Sequence, residues 1–440
     1  MKITIITQLL LGSILFGFLN FSYAAGSIPV FHIDAEGKTG VEIGAALGKA
    51  VKEKFPEIDK KYDSYLASFV SQEVFNSWVQ KRVNVVKPNI DKAYQDEVNT
   101  IISTWNFASQ DKLGDGYLSL NEFWVIQLIP DVGRITNCSG FGVFGNFSAL
   151  KAPIVGRNMD WRTTEALRSI QAITVYEYEN RNVVNIGFAG YVGTISGFNS
   201  DGLFVAHLDS PLGNRYPKPP LGDHATVFDL RAVLETHKSI DWAARYLSKR
   251  QYGYSHNILM ADTEDVQVLE QPQGQVAQLR TALSPLRSDM SWEKRNQIAV
   301  VNCNVLKSSP LNCVDSVDRY RWHRFKTLAR FNSTDRAEVA DIMKIMFDRA
   351  NHYQEIFNKT TVQSMVFLPK EKKFYLYTVP VSGIHDEHLV MNEITHLLRM
   401  LPTQNEMGVS DMLMYLIGLL VLGGIFVSVV NNFSDSSKRR

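Results

Sequence analysis

Only three of the 440 residues are cysteine, too few for a disulfide framework, and no Cys-x-x-Cys pair occurs among them. His207, His224, His237, His256 and His323 are scattered, with no His-x-x-x-His spacing, so no zinc or other metal site is expected. A P-loop is missing too, so nucleotide chemistry is not indicated and no cofactor is expected. Charge of either sign is balanced: 46 Lys and Arg stand against 45 Asp and Glu, a formal net charge of +1. No basic tract precedes the C-terminus, which argues against a nucleic-acid partner. Repeats and low-complexity stretches are absent. The hydrophobic content of 45% is ordinary for a globular chain, and the length suffices for a sizeable core.

Long apolar runs occur only at the two ends. Residues 1–24 read as a signal peptide, with Lys2 before an apolar stretch and Ser22-Tyr23-Ala24 as a small-x-small cleavage site. Residues 412–430 are uncharged and long enough for one membrane-spanning helix. Asp411 precedes them; Lys438, Arg439 and Arg440 follow. The positive-inside rule puts the tail, 431–440, in the cytoplasm and the body in a lumen, a periplasm or outside, the single-pass type I arrangement. Asn146, Asn332 and Asn358 head Asn-x-Ser/Thr sequons in the exported part.

Between the ends the texture changes once. Apolar residues at helical spacing predict helices over 41–55, 62–81 and 90–107. A turn and an apolar helix follow over 115–130, capped by Ser119 with Glu122 three residues on. Residues 111–122 also resemble an EF-hand loop, with Asp111, Asp115, Gly116, Ser119 and Glu122 at suitable positions. Leu113 at the third position cannot ligate, and the capped helix alone explains Ser119 and Glu122. From Cys138 onward, short β-branched or aromatic runs predict strands at 141–144, 154–157, 172–178, 183–188, 194–198 and 203–208. Helices at 227–237 and 241–249 come next, then strands at 257–261 and 266–270. Helices at 316–331 and 335–350 and a hairpin over 362–368 and 373–379 complete the body, with an unremarkable connector over 382–411. The fold class is α+β. Two stacked sheets with helices outside, a four-layer αββα sandwich, fit this order.

The chemistry concentrates in Asn137-Cys138-Ser139-Gly140 and, further on, Gly156-Arg157-Asn158-Met159-Asp160-Trp161. Cys303 and Cys313 are close enough to bridge, which leaves Cys138 as the odd thiol of an exported chain. A cysteine nucleophile needs a base and a neighbouring positive charge. If the chain is cut before Cys138, its new α-amino group is that base, with an ordinary pKa of roughly 7.7–8.0. Arg157 supplies the charge or contacts a substrate oxygen, and Asp160 holds the ammonium or orients the amine.

These motifs resemble the N-terminal-nucleophile amidases related to acid ceramidase and N-acylethanolamine acid amidase. More distantly they resemble the penicillin acyltransferases and choloylglycine hydrolases. Collinear support comes from 190–197, 198–203, Arg231 to Glu235, Val300 to Asn304, Ser316 to Arg319 and Leu120 to Phe123. The resemblance covers roughly residues 115–330. It implies a four-layer αββα N-terminal-nucleophile sandwich, to which the patterns above add a helical N-terminal segment and one C-terminal transmembrane helix. The order would be a signal peptide (1–24), an α chain (25–137), a catalytic β chain (138–400), a connector (401–411), the membrane helix (412–430) and a cytoplasmic tail.

The implied activity is an autoproteolytically matured cysteine amidase acting on N-acylated lipids of the ceramide or N-acylethanolamine type. An acyltransferase using the same cysteine and a non-catalytic anchored protein of the same fold are the alternatives. Cleavage falls between Asn137 and Cys138, and the partners are the lipid amide, the membrane and the chain's own two fragments. Cys138, Arg157 and Asp160 form the implied catalytic set. Asn304, with Asn302 as its rival, is a candidate oxyanion donor and Arg319 a candidate site arginine. Asp209, Tyr191 and Asn199 are candidate substrate contacts. The chain departs from the family pattern at Ser139-Gly140, where a hydroxyl is lost, at Leu208-Asp209-Ser210 and at Val305.

Overall fold

A computed structural model describes residues 28–132, 138–210, 222–309, 316–349 and 355–400. The expected signal peptide, Asn137, Cys313 and the expected membrane helix lie outside these residues. No helix among the described residues is long and apolar enough to cross a membrane.

The chain opens with a strand the sequence did not betray, β1 (Val30–Asp34). It is followed by α1 (Gly40–Lys54), α2 (Ile58–Ala67), α3 (Gln80–Val86) and α4 (Lys92–Ser103). Thr39 and Glu42 form a capping box at the head of α1. Gly40, Gly44 and Gly48 line one face of α1 so closely against α4 that a Cβ at Gly44 would lie 2.5 Å from the Glu97 carbonyl oxygen. The single helix expected over 62–81 is interrupted instead. It ends at Ala67, and the chain restarts after Ser71, whose hydroxyl accepts from the Val74 amide. The two-residue strands β2 (Phe107–Ala108) and β3 (Leu118–Ser119) pair in parallel, and α5 (Leu120–Gln127) follows. The Ser119–Glu122 capping box is present as expected.

After Cys138 come β4 (Ser139–Val143), β5 (Ile154–Asp160), β6 (Gln171–Tyr178), β7 (Arg181–Phe188), β8 (Ser196–Asn199) and β9 (Phe204–Asp209). Then follow α6 (Thr226–Thr236), α7 (Ile240–Leu247), β10 (His256–Ala261), β11 (Val266–Gln271), β12 (Gln278–Arg280) and β13 (Gln297–Val300). The last elements are α8 (Ser316–Leu328), α9 (Val339–Met346), β14 (Thr361–Leu368), β15 (Lys373–Thr378) and β16 (Asn392–Glu393). One sheet has eight strands in the order β1-β6-β7-β8-β9-β10-β11-β12; a second has six, β13-β4-β5-β14-β15-β16. Only β1 against β6 is parallel in these two sheets.

The sheets stack face to face. Phe198 of β8 and Phe367 of β14 lie with ring centroids 4.2 Å apart. Gly140 and Gly142 permit this approach, since a Cβ would come within 2.5 Å of Leu259 and 2.6 Å of Val266 respectively. With Gly145 they make a Gly-x-Gly-x-x-Gly spacing, but no α-helix follows it, so the spacing is a packing device and not a phosphate cradle. Helix α9 covers the outer face of the six-stranded sheet, where Met346 and Ile342 leave no room for a side chain at Gly156. Helix α6 covers the other sheet through Leu234 against Gly197. These are the four layers anticipated.

The N-terminal helices are joined to this body rather than standing apart. Strand β1 is an edge of the larger sheet, and Arg231 of α6 pairs with buried Glu97 of α4 at 2.8 Å while stacking on Tyr176. The stretch expected to be a connector carries β16 and buries Leu398; its Leu397 carbonyl oxygen lies 3.0 Å from His32 Nε2.

Candidate active site

Strands β4 and β5 are antiparallel neighbours, with Ser139 opposite Asn158 and Gly140 opposite Arg157. This register brings the residue just before β4, Cys138, beside the end of β5. Arg157 Nη2 lies 3.4 Å from Cys138 Sγ and donates to the His207 carbonyl oxygen of β9 at 2.9 Å. The thiol is 4.0 Å from the main-chain oxygen of Asp160. Cys138, Arg157 and Asp160 are all buried. The guanidinium thus sits where a thiolate would form, and its Nε and Nη1 have no partner among the described residues. Burial lowers the Arg157 pKa; the Cys138, Asp160 and Asp209 charges oppose that shift.

Asp160 is fixed on several sides. Arg321 Nη2 and Asn358 Nδ2 each donate to Oδ2 at 2.7 Å, and the Thr361 hydroxyl donates to Oδ1 at 2.6 Å. Burial pushes the Asp160 carboxyl up, and Arg321, Thr361 and Asn358 work against that. Arg321 is the arginine that sequence reasoning missed. It lies two residues beyond Arg319, a spacing that turns it to a different side of α8. Arg319 itself is 42% exposed and pairs with Asp289 at 3.3 Å, away from this cluster. Asn358 was read as a sequon, but its amide is committed to Asp160 and its Oδ1 to Thr360.

Asp209 ends β9 next to this group and acts on Arg157 by its charge. Its carbonyl oxygen accepts from Asn302 Nδ2 at 2.7 Å, and Ser210 donates to Asn304 Oδ1 at 3.1 Å. Asp209, Asn302 and Asn304 therefore converge on one flank. His207 lies buried on the same strand; burial, then His256 and Arg157, hold its imidazole well below the usual histidine range. Cys303 is disulfide-bonded and Cys138 is not.

Two expected substrate contacts have other neighbours. Asn199 donates to the Leu234 and His237 carbonyl oxygens and accepts from the Asp201 and Leu203 amides, so it ties the turn after β8 to the end of α6. Tyr191 is buried near Asp131, Tyr62 and Tyr65, its hydroxyl without a partner among the described residues.

Residues 149–378, just over half the chain, match the family described as acyl-coenzyme A:6-aminopenicillanic acid acyl-transferase. The matched span contains Arg157, Asp160, Asp209, Asn304 and Arg321 and begins after Cys138. Among solved structures, the chain is similar to an N-acylethanolamine-hydrolyzing acid amidase ortholog of Caenorhabditis elegans. The identity is 16%, over 55% of this chain and 100% of that one, with a TM-score of 0.40. It is similar to a mutant conjugated bile acid hydrolase of Clostridium perfringens at 15% identity, over 58% and 92%, with a TM-score of 0.39. For a penicillin V acylase of Agrobacterium tumefaciens the figures are 16%, 55%, 83% and 0.30. No curated protein matches. The chain belongs to the acyl-coenzyme A:6-aminopenicillanic acid acyl-transferase family, in the N-terminal-nucleophile hydrolase group.

Proposed function

We propose that this protein is a cysteine amidase that matures by cutting itself between Asn137 and Cys138 and then cleaves the amide bond of N-acylated lipids. The observation that carries the reading is the Arg157 guanidinium 3.4 Å from Cys138 Sγ in a buried site. In maturation the thiol attacks the Asn137 carbonyl carbon, and the acyl group passes from nitrogen to sulfur. Water hydrolyses the thioester, which leaves Cys138 with an α-amino group. In turnover the Cys138 thiolate, favoured by Arg157, adds to the substrate carbonyl. The α-ammonium protonates the departing amine, and the acyl group remains as a thioester. The same amine then takes a proton from water, whose oxygen attacks the thioester and releases the acid and the thiol.

Asp160, held by Arg321, Asn358 and Thr361, anchors the ammonium. Asn304 serves the developing oxyanion, its carboxamide oriented by the Ser210 hydroxyl donating to Oδ1. Arg321 takes the place earlier given to Arg319. A lipid of the ceramide or N-acylethanolamine class is supported by the motif resemblance and by the apolar run at 412–430, which would hold the site near a bilayer.

A panel of N-acyl lipids, offered to matured protein and to its Cys138→Ala variant, tests the reading. Turnover of at least one lipid amide by the wild type and none by the variant is expected. Turnover that survives the substitution contradicts it.

A further inference from the structure

The loop before α5 has a chemistry that the amidase site leaves unused. Over residues 111–122, carboxylates stand at the first, fifth and twelfth positions, a glycine at the sixth, a main-chain carbonyl (Tyr117) at the seventh and a hydroxyl (Ser119) at the ninth. These are the donor positions of a calcium-binding EF-hand loop. Gly116 has φ +87, the left-handed conformation this sixth position needs for its sharp turn.

Leu113 stands where a third-position ligand belongs and packs on the core instead. The fold supplies a replacement from elsewhere. Asp63 of α2, only 1% exposed, points into the loop, its two oxygens accepting from the Gly114 and Gly116 amides at 2.6 and 2.7 Å. Asp111 ties the start of the loop to its end, with Oδ1 accepting from the Ser119 hydroxyl at 2.6 Å and Oδ2 from Asn121 and Gln80.

Glu122 is the observation that points to a cation. Its side chain is 0% exposed. One oxygen accepts from the Ser119 amide at 2.7 Å; the other, Oε1, is buried with no partner among the described residues. The neighbouring charges that act on it, those of Asp63 and Asp111, are both negative. A buried carboxylate oxygen beside two further carboxylates is costly unless it takes up a proton or a cation joins them, and burial does push the Glu122 carboxyl up to about 7. Among the described residues no three Asp, Glu, His or Cys side chains already surround one point. Filling the site therefore requires Glu122 to turn from the Ser119 amide and the loop to draw in.

We propose that residues 111–122 together with Asp63 bind one calcium ion. Asp111, Asp115, Ser119, Glu122 and the Tyr117 carbonyl are its ligands, and Asp63 provides the carboxylate that Leu113 lacks. The site joins α2 to the head of α5. It is independent of the amidase reading, and its test does not use turnover.

The experiment is a calcium titration of the purified full-length protein after chelator treatment, followed by thermal melting and by terbium luminescence excited through Tyr117 and Trp124. A saturable rise in melting midpoint is expected, with an affinity in the weak range of roughly 10⁻⁴ to 10⁻³ M. Calcium should displace bound terbium, and magnesium should do so far less well. Glu122→Gln keeps an acceptor for the helix cap and removes the charge. It should weaken calcium binding about tenfold or more while leaving the ion-free melt unchanged or higher. Asp63→Asn should weaken binding as well. No response up to about 10 mM calcium, an equal response to magnesium, or undiminished binding in both variants overturns the proposal.

Discussion

Replacing Arg157 by methionine separates what this side chain does for the thiol from what it does for the fold. At the 3.4 Å separation of Nη2 and Sγ, a unit charge at an effective dielectric near 20 favours the thiolate by about 5 kcal/mol. At 1.36 kcal/mol per pKa unit that is roughly 3.5 units, reduced to about 2 once water or a rotated side chain takes the space. The Cys138 thiol of Arg157→Met should therefore titrate about 2 units higher, and turnover near neutral pH should fall on the order of a hundredfold.

Stability should respond differently. The substitution costs a hydrogen bond to the His207 carbonyl oxygen, about 1–3 kcal/mol. It also removes a buried charge whose Nε and Nη1 are unpartnered among the described residues, a change of similar size and opposite sign. The thermal midpoint should move by only a few degrees. The assay is the pH dependence of iodoacetamide alkylation of matured protein, beside thermal melting; Arg157→Lys should retain part of the effect. An unmoved thiol titration, or a variant that does not fold, refutes this reasoning.

Asp131→Asn should leave stability at pH 7 unchanged or higher. Burial raises the Asp131 carboxyl to about 6. A raised acid is stabilising below its unfolded pKa, and that contribution, about 3 kcal/mol, is lost as pH rises from about 4 through 6. Melting the wild type and Asp131→Asn across that window should show the slope in the first and its loss in the second. Arg231→Met should destabilise by about 3–5 kcal/mol, because it strands buried Glu97. Adding Glu97→Gln should recover part of the loss in a denaturant-melt cycle. Gly44→Ala should lower stability by about 1–3 kcal/mol through collision with the Glu97 carbonyl oxygen, read by urea titration. If the chain is made in a eukaryotic secretory route, glycan should be found by peptide mass at exposed Asn146 and Asn332 but not at Asn358, which is bonded to Asp160.

The two sheets were legible because buried strands write themselves as short apolar runs with turn residues between them; β4 to β11, β14 and β15 all lie within a few residues of expectation. Strand β1 was not, since a parallel edge strand is defined by its partner β6, far along the chain, and five residues carry no period of their own. The break after Ala67 depends on the local turn chemistry of Ser68 and Ser71, which a helical apolar stripe conceals. Cys138, Arg157 and Asp160 lie together, as their sequence spacing implies, because β4 and β5 are antiparallel neighbours and Cys138 directly precedes β4. Arg321, Asn358 and Thr361 reach Asp160 from two other elements, and nothing in local spacing distinguishes Arg321 from Arg319. The four main-chain bonds of the Asn199 carboxamide join a turn to the end of α6, contacts that no local pattern announces.

The most direct test of the account is the intact mass and N-terminal sequence of the purified active protein. The account predicts two fragments, the second beginning at Cys138, and a single uncut chain for Cys138→Ala. An active enzyme still joined through Asn137 and Cys138 would contradict it.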